Sequence, residues 1–306
     1  MIGHDGCINW RLRLKWWFSL FVVAVIALYS QLQAALLATD PTQKCVLTQT
    51  LHQAAMAGEL QWDTDAPCLD FARAGQPDKP VLVDPKQVKP RKMATPEGYA
   101  ALLHAVAHIE FNAINLALDA AYRFRHIAPE FQLDWLRVAA EEAQHFCLMR
   151  ERLQAHGFDY GDFEAHNHLW DMAYKTAYDP LLRMALVPRV LEARGLDVTP
   201  AMRAKIEQKG DAATCAVLDI IYRDEVGHVK VGNDWYHCLC QQRGLDALSV
   251  FKQLIQRYDL FLFRGHLNIE ARERAGFSAF ELSLLQDFQA AQNPQSSQWK
   301  QALSRV

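Results

Sequence analysis

An all-α fold is what this 306-residue sequence predicts: a core of four long helices with helical additions at both ends. Three observations predict it. From residue 95 onward apolar residues recur at helical spacing, and nothing there alternates with period two. Start and stop signals bracket four long segments. Those segments also repeat one unit, a helix with a glutamate followed by a helix with Glu-x-x-His. The step from Glu110 to Glu142 is 32 residues and from Glu192 to Glu225 it is 33.

The four core elements follow in order. Thr95-Pro96-Glu97 opens the first, with Thr at the cap and Pro in the first turn, and its pattern runs to about Arg125. Pro129 opens the second, which runs to about His156 and ends at Gly157. The third spans about Leu169 to Arg194 and stops at Gly195; Pro180 and Pro188 predict breaks or kinks inside it. Thr199-Pro200 opens a short helix. Asp211 caps the fourth, which reaches about Arg243 and stops at Gly244. The chain therefore divides into a leader (1–32), an N-terminal helix with a Pro-rich extended connector (33–94), the four-helix bundle (95–244) and a C-terminal helical extension (245–306).

Composition excludes several classes. The chain is 51% hydrophobic and 22% charged, which rules out collagen, coiled-coil arrays and wholesale disorder. A net charge of -3 argues against a basic nucleic-acid platform. Seven scattered cysteines fit neither a zinc ribbon nor a disulfide scaffold and read as reduced, mostly buried thiols of a cytoplasmic protein. Against that stands the apolar run Trp16–Tyr29, preceded by Arg11, Arg13 and Lys15. It reads as an export signal, a membrane anchor or codons upstream of the true start. The connector carries Lys86, Lys89, Arg91 and Lys92, assigned to a solvated face rather than to phosphate contacts.

The chemistry lies in the repeat. Residues three apart on a helix share a face, so Glu142 with His145, and Glu225 with His228, can each present a carboxylate and an imidazole to one ion. Each motif alone is weak. With Glu110 and Glu192 on the other two helices, four carboxylates and two imidazoles converge in one bundle, the pattern of di-iron carboxylate proteins. All six positions lie on apolar stripes. Buried carboxylates that converge repel, and their pKa values rise unless cations neutralise them. Two metal ions would do so, and carboxylate plus imidazole without thiolate suits iron, manganese or a mixed pair better than structural zinc. A purely structural ion-pair bundle is the competing reading. Asp224 and Glu141 are candidates to orient a histidine on the neighbouring helix, against a bland role as partners of Arg189, Arg194 or Arg223. Tyr222, one turn before Glu225, is a candidate proton or electron relay, or a core tyrosine with a satisfied hydroxyl. His104 and His108 are read as packing or surface residues, and His156, His166 and His168 as loop histidines. Pro188 is expected to open a cavity near the metals.

The stretches LLHAVAHIEFNAINLALDAAYRF, AAEEAQHF, LVPRVLEARGLDVTP and RDEVGHVKVGN resemble the bacterial ferritin-like family catalogued as domain-of-unknown-function family 455, over about residues 35–244. The resemblance implies a ferritin-like four-helix fold with those six metal ligands, and no settled activity. More distantly the chain resembles a tRNA-modifying di-iron hydroxylase. Three functions follow as expectations. The first is an oxygen-activating di-iron oxidoreductase, a hydroxylase or monooxygenase of a small organic or tRNA-borne substrate, fed by a ferredoxin or flavoprotein. The second is a ferritin- or rubrerythrin-like protein that oxidises iron or scavenges peroxide. The third is a scaffold with a vestigial site. A closed apolar pocket reaching the metals would favour the first, and an acidic, hydrated entry path the second.

Overall fold

Thr95 accepts a hydrogen bond from the Gly98 N–H at 3.0 Å and Pro96 follows it, so the first core helix starts at the predicted cap. The computed structural model describes residues 25–89, 91–258 and 266–291. Their helices are α1 (Leu28–Leu37), α2 (Pro41–Ala57), α3 (Pro96–Arg123), α4 (Pro129–Ala155), α5 (His168–Lys175), α6 (Pro180–Leu186), α7 (Ala193–Glu207), α8 (Ala212–Gln242), α9 (Ala247–Arg257), α10 (Ile269–Arg274) and α11 (Ala279–Ala291). A π-helical segment, Val187–Glu192, joins α6 to α7. Two-residue strands β1 (Ile26–Ala27) and β2 (Leu60–Gln61) pair in parallel.

The core is an all-α bundle. α3 packs along α4, α7 along α8, and α4 against α8; α1 and α2 cover α3 and α4 from outside. Asp211 ties one end together. It caps α8 by accepting from the Thr214 N–H at 2.9 Å, and it takes the Tyr99 hydroxyl at 2.8 Å and Arg152 at 3.2 Å. Among the described residues, α3 is the one helix long and apolar enough to cross a membrane, and most of that stretch is buried inside the bundle.

Most of the apolar run Trp16–Tyr29 lies outside the described residues. Its end does not: Leu28 and Tyr29 are buried in α1. The Tyr29 and Ser30 N–H groups donate to Asp63 at 2.7 and 3.0 Å. Residues 28–32 therefore belong to the folded body. The single N-terminal helix is divided in two. Asp40 and Pro41 start α2 afresh, and buried Lys44 donates to the carbonyls of Ala35 and Leu36 at 2.8 Å, satisfying the end of α1.

The third core element departs most from expectation. Pro180 opens α6, capped by Asp179, so that break is where the proline predicted it. Gly195 stops nothing, and Thr199-Pro200 starts nothing; both lie inside α7. Pro200 cannot donate to the Leu196 carbonyl four residues back. Asn268, at the head of α10, does so instead at 3.2 Å, which lets the helix pass through the proline. At Pro188 the helix widens rather than breaks: the Ala193 N–H reaches back five residues to the Pro188 carbonyl. The proline ring is seated against Gly232 of α8, where a Cβ would stand 2.3 Å from Pro188 Cγ. On the α8 side the kink is filled by this packing. Gly232→Ala should push α8 from the π-helical segment and cost about 1–3 kcal/mol by overpacking. A thermal midpoint equal to wild type would show that the contact relaxes freely.

The C-terminal extension is locked to this same element. Arg272 of α10 forms an ion pair with Asp197 at 2.6 Å and donates to the Ala193 carbonyl. Arg189, in the π-helical segment, forms a buried pair with Glu281 of α11.

Candidate metal centre

Glu110 comes from the middle of α3, Glu142 and His145 from α4, Glu192 from the last π-helical residue, and Glu225 and His228 from α8. One ligand atom from each of Glu110, Glu142, His145 and Glu225 lies within 4.8 Å of all the others. His145 presents Nδ1 to this centre, 3.4 Å from Glu110 and 3.3 Å from Glu142 Oε2. His228 also presents Nδ1, 2.9 Å from Glu142 Oε1 and 3.8 Å from Glu225. Glu142 thus stands between the two imidazoles with one oxygen toward each. Glu192 is not in the 4.8 Å group. Its Oε2 is buried without a hydrogen-bond partner, as are Glu110 Oε2 and His228 Nδ1.

The outer nitrogens are held crosswise. His145 Nε2 lies 3.2 Å from Asp224 of α8, and His228 Nε2 lies 2.7 Å from Glu141 of α4. Adjacent helix positions point about 100° apart, so a carboxylate beside one Glu-x-x-His motif reaches the histidine of the other. An Nε2–H given to a carboxylate leaves Nδ1 free to ligate. Both outer acids also meet an arginine: Glu141 meets Arg137 at 3.0 Å and Asp224 meets Arg223 at 2.8 Å. The two sequence readings of these acids are therefore both realised, with Arg137 rather than Arg189 or Arg194 as the partner of Glu141.

The electrostatics show what the donor set needs. Burial, with Glu142 and Glu225 nearby, raises Glu110 well above the carboxylate range against the pull of His145. Burial and the charges of Glu225 and Glu142 push Glu192 up to about 8. Burial and Glu142 likewise raise Glu225. Glu142 alone runs the other way: burial opposes its charge, but His228 and His145 outweigh it and hold it low. Burial would lower His145, yet Glu110 and Glu142 hold it up at about 11. His228 is raised well above its ordinary value by Glu142, Glu141 and Glu225 against its own burial. Protons on both imidazoles thus balance the buried carboxylates where no cation does. The four carboxylates, two imidazoles and orphaned buried atoms fit a metal ion.

A pH dependence follows. Glu192 is raised from about 4.5 to about 8, so its contribution to metal-free stability is complete below 4.5 and lost as pH rises through 8. His145 is raised from 6.5 to about 11, so its contribution is likewise lost as pH rises through that window. Metal-free protein should lose stability between pH 6 and 9, and added metal should raise the melting temperature more at pH 9 than at pH 6. Metal binding at pH 7 should also release more than two protons, from the two imidazoles and from the raised carboxyls of Glu110 and Glu192. Calorimetric titration in buffers of different ionisation enthalpy counts them.

Tyr222 does not point its chemistry at this cluster. Its hydroxyl accepts from Asn268 Nδ2 at 2.8 Å, at the corner between α7 and α10. It is the tyrosine with a satisfied hydroxyl. His104 and His108 are buried packing residues: His104 accepts from the Gly161 N–H at 3.0 Å, and His108 meets the Tyr160 hydroxyl at 2.9 Å. His156 meets Asp211 at 3.0 Å, and His166 and His168 meet edge to face. Two contributors escaped the sequence reading. Gly195 leaves open space beside Glu225, whose Oε2 would be 3.9 Å from a Cβ there. Arg183, paired with Asp119 at 2.7 Å in the core, partly offsets the rise at Glu192. Of the six described cysteines, all free, Cys45, Cys215 and Cys240 are buried while Cys68 and Cys147 are exposed.

The family model described as protein of unknown function (DUF455) matches residues 37–283. The chain belongs to the DUF455 family. A relative from Haemophilus influenzae, named as an uncharacterized protein, is 51% identical over 264 residues, 83% of this chain and 92% of that one. No solved structure matches the chain. The family match runs from the end of α1 to just past Glu281 and so contains the whole centre together with its C-terminal lock.

Proposed function

We propose that this DUF455 protein is a ferritin-like di-iron carboxylate oxidoreductase that hydroxylates or monooxygenates an organic substrate. The observation that carries the reading is Glu142 set between two imidazoles whose outer nitrogens are held crosswise by Asp224 and Glu141. Glu110, Glu142 and His145 would hold one iron, and Glu142, Glu192, Glu225 and His228 the other. Bound iron would supply the dioxygen-activating redox chemistry that no side chain here provides. The protein's part is placement and exclusion. Asp224 and Glu141 fix each imidazole by its Nε2, and Ile114, Leu218 and Ile221 keep the surroundings dry. One oxygen atom would enter the substrate and the other leave as water, with two electrons from a ferredoxin or flavoprotein.

A cleft of about 610 Å³ between α3 and α7 supports an organic substrate over bare iron oxidation. Its walls carry Lys89, Arg91, Arg194 and Lys205 against only Glu164 and Asp197, a poor entry for a cation. It is not a closed pocket touching the metals, since none of the six ligand residues lines it. The test is anaerobic purification, metal analysis and ferrous reconstitution, followed by an oxygen pulse with optical spectra. The expected result is about two irons per chain and oxygen uptake that a Glu142→Ala variant lacks. Preferential binding of zinc, or iron bound equally by that variant, would overturn the proposal.

A further inference from the structure

The α3–α7 cleft has a charge pattern that the metal centre does not use. Of its two acids, Asp197 is paired with Arg272 at 2.6 Å, and Glu164 meets Lys89 at 3.4 Å through Oε1 while its Oε2 is buried without a hydrogen-bond partner. Arg91 meets Glu97 at 3.3 Å and lies over the Phe163 ring. Arg194 and Lys205 have no ion pair or hydrogen bond among the described residues. Both stand on the cleft face of α7, about 16 Å apart along the helix. Between them that face is apolar, with Val198, Ala201 and Met202, opposite Leu102 and Ala105 of α3. The cleft is thus an apolar trough with an uncompensated cation toward each end.

Its position ties it to the centre. Ala105 precedes Glu110 by five residues on α3, about 7.5 Å of rise, and Arg194 follows Glu192 by two. The cleft therefore begins near the level of the carboxylates and runs away from them toward Gly98 and Lys205. Its volume is that of a small-molecule site. A half-buried, unpaired arginine beside apolar walls is satisfied by an anion whose body is itself apolar.

We propose that this cleft binds an amphipathic organic anion, its aliphatic body along Leu102, Val198 and Met202 and its phosphate or carboxylate held by Arg194, while Lys205 at the far end of the trough adds to the positive field that draws the anion in. As a substrate class this rests on the oxidoreductase reading; as a binding site it does not. The test is calorimetric titration of the metal-loaded full chain with decanoate, decyl phosphate, decanol and decyltrimethylammonium. The anions are expected to bind at least about tenfold more tightly than decanol, and the ammonium to bind least. The stronger of decanoate and decyl phosphate identifies the head group. Arg194→Glu should weaken anion binding about tenfold or more, and Lys205→Glu should weaken it in the same direction, with metal content unchanged. Equal binding of all four probes, no binding of the anions, or charge reversals without effect would overturn the proposal. Binding needs no turnover, so a chain that holds no iron could still bind the anions. A chain that consumes oxygen but ignores them refutes only the cleft.

Discussion

Glu142→Ala is expected to empty the whole centre, whereas His228→Ala empties half of it. Glu142 is the one side chain that addresses both imidazoles, 3.3 Å from His145 and 2.9 Å from His228. Removing it takes a ligand from both prospective ion positions at once. His228 serves one position, leaving Glu110, Glu142 and His145 together within 4.8 Å. Metal analysis should give about no ion per chain for the first variant and about one for the second. Equal loss in both would mean a single shared ion. The metal-free Glu142→Ala protein should also be less stable by about 3 kcal/mol, because two buried imidazoles held charged by that carboxylate lose it. Glu142→Gln keeps the volume and separates that charge effect from the cavity.

Glu281→Ala should cost about 3–5 kcal/mol although Glu281 is far from the centre in sequence. Its carboxylate faces Arg189, which is buried among the rings of Tyr236, Phe251 and Phe277 with no other acid at hand. Glu281 also accepts from the Ser278 N–H and hydroxyl at 2.9 Å, which starts α11. Its removal leaves a buried guanidinium unpaired three residues from Glu192. The expected result is a fall in melting temperature together with weaker retention of metal under chelator. The double variant Arg189→Met/Glu281→Leu should recover most of the stability, since an apolar pair of similar size carries no desolvation cost. If the single variant melts like wild type, the C-terminal extension does not brace the site.

The cluster of Glu and His residues that could hold a metal was legible because its logic is local to helices. Glu142 with His145, and Glu225 with His228, lie one turn apart whatever surrounds them, and the nearly equal 32- and 33-residue steps betray the repeat. Even the crosswise use of Asp224 and Glu141 follows from the angle between neighbouring positions. The third core element was less legible, because its signals are exceptions compensated from afar. Pro200 is harmless only because Asn268 supplies the missing donor to Leu196. Pro188 is accommodated only because Gly232 on another helix has no Cβ. Tyr222 shares a helix with Glu225, but its hydroxyl is claimed by that same Asn268.

By itself, then, the sequence determined the helical class, the caps at Thr95 and Asp211, and which residue types could meet around ions. Periodicity and capping act within a few residues of chain. Tertiary structure alone decided that Glu142 lies between both imidazoles, that a π-helical turn carries Glu192 inward, and that Arg194 and Lys205 flank a trough. Those depend on contacts between segments distant in the chain, where a missing N–H or an unpaired charge finds its answer in space and leaves no local pattern behind.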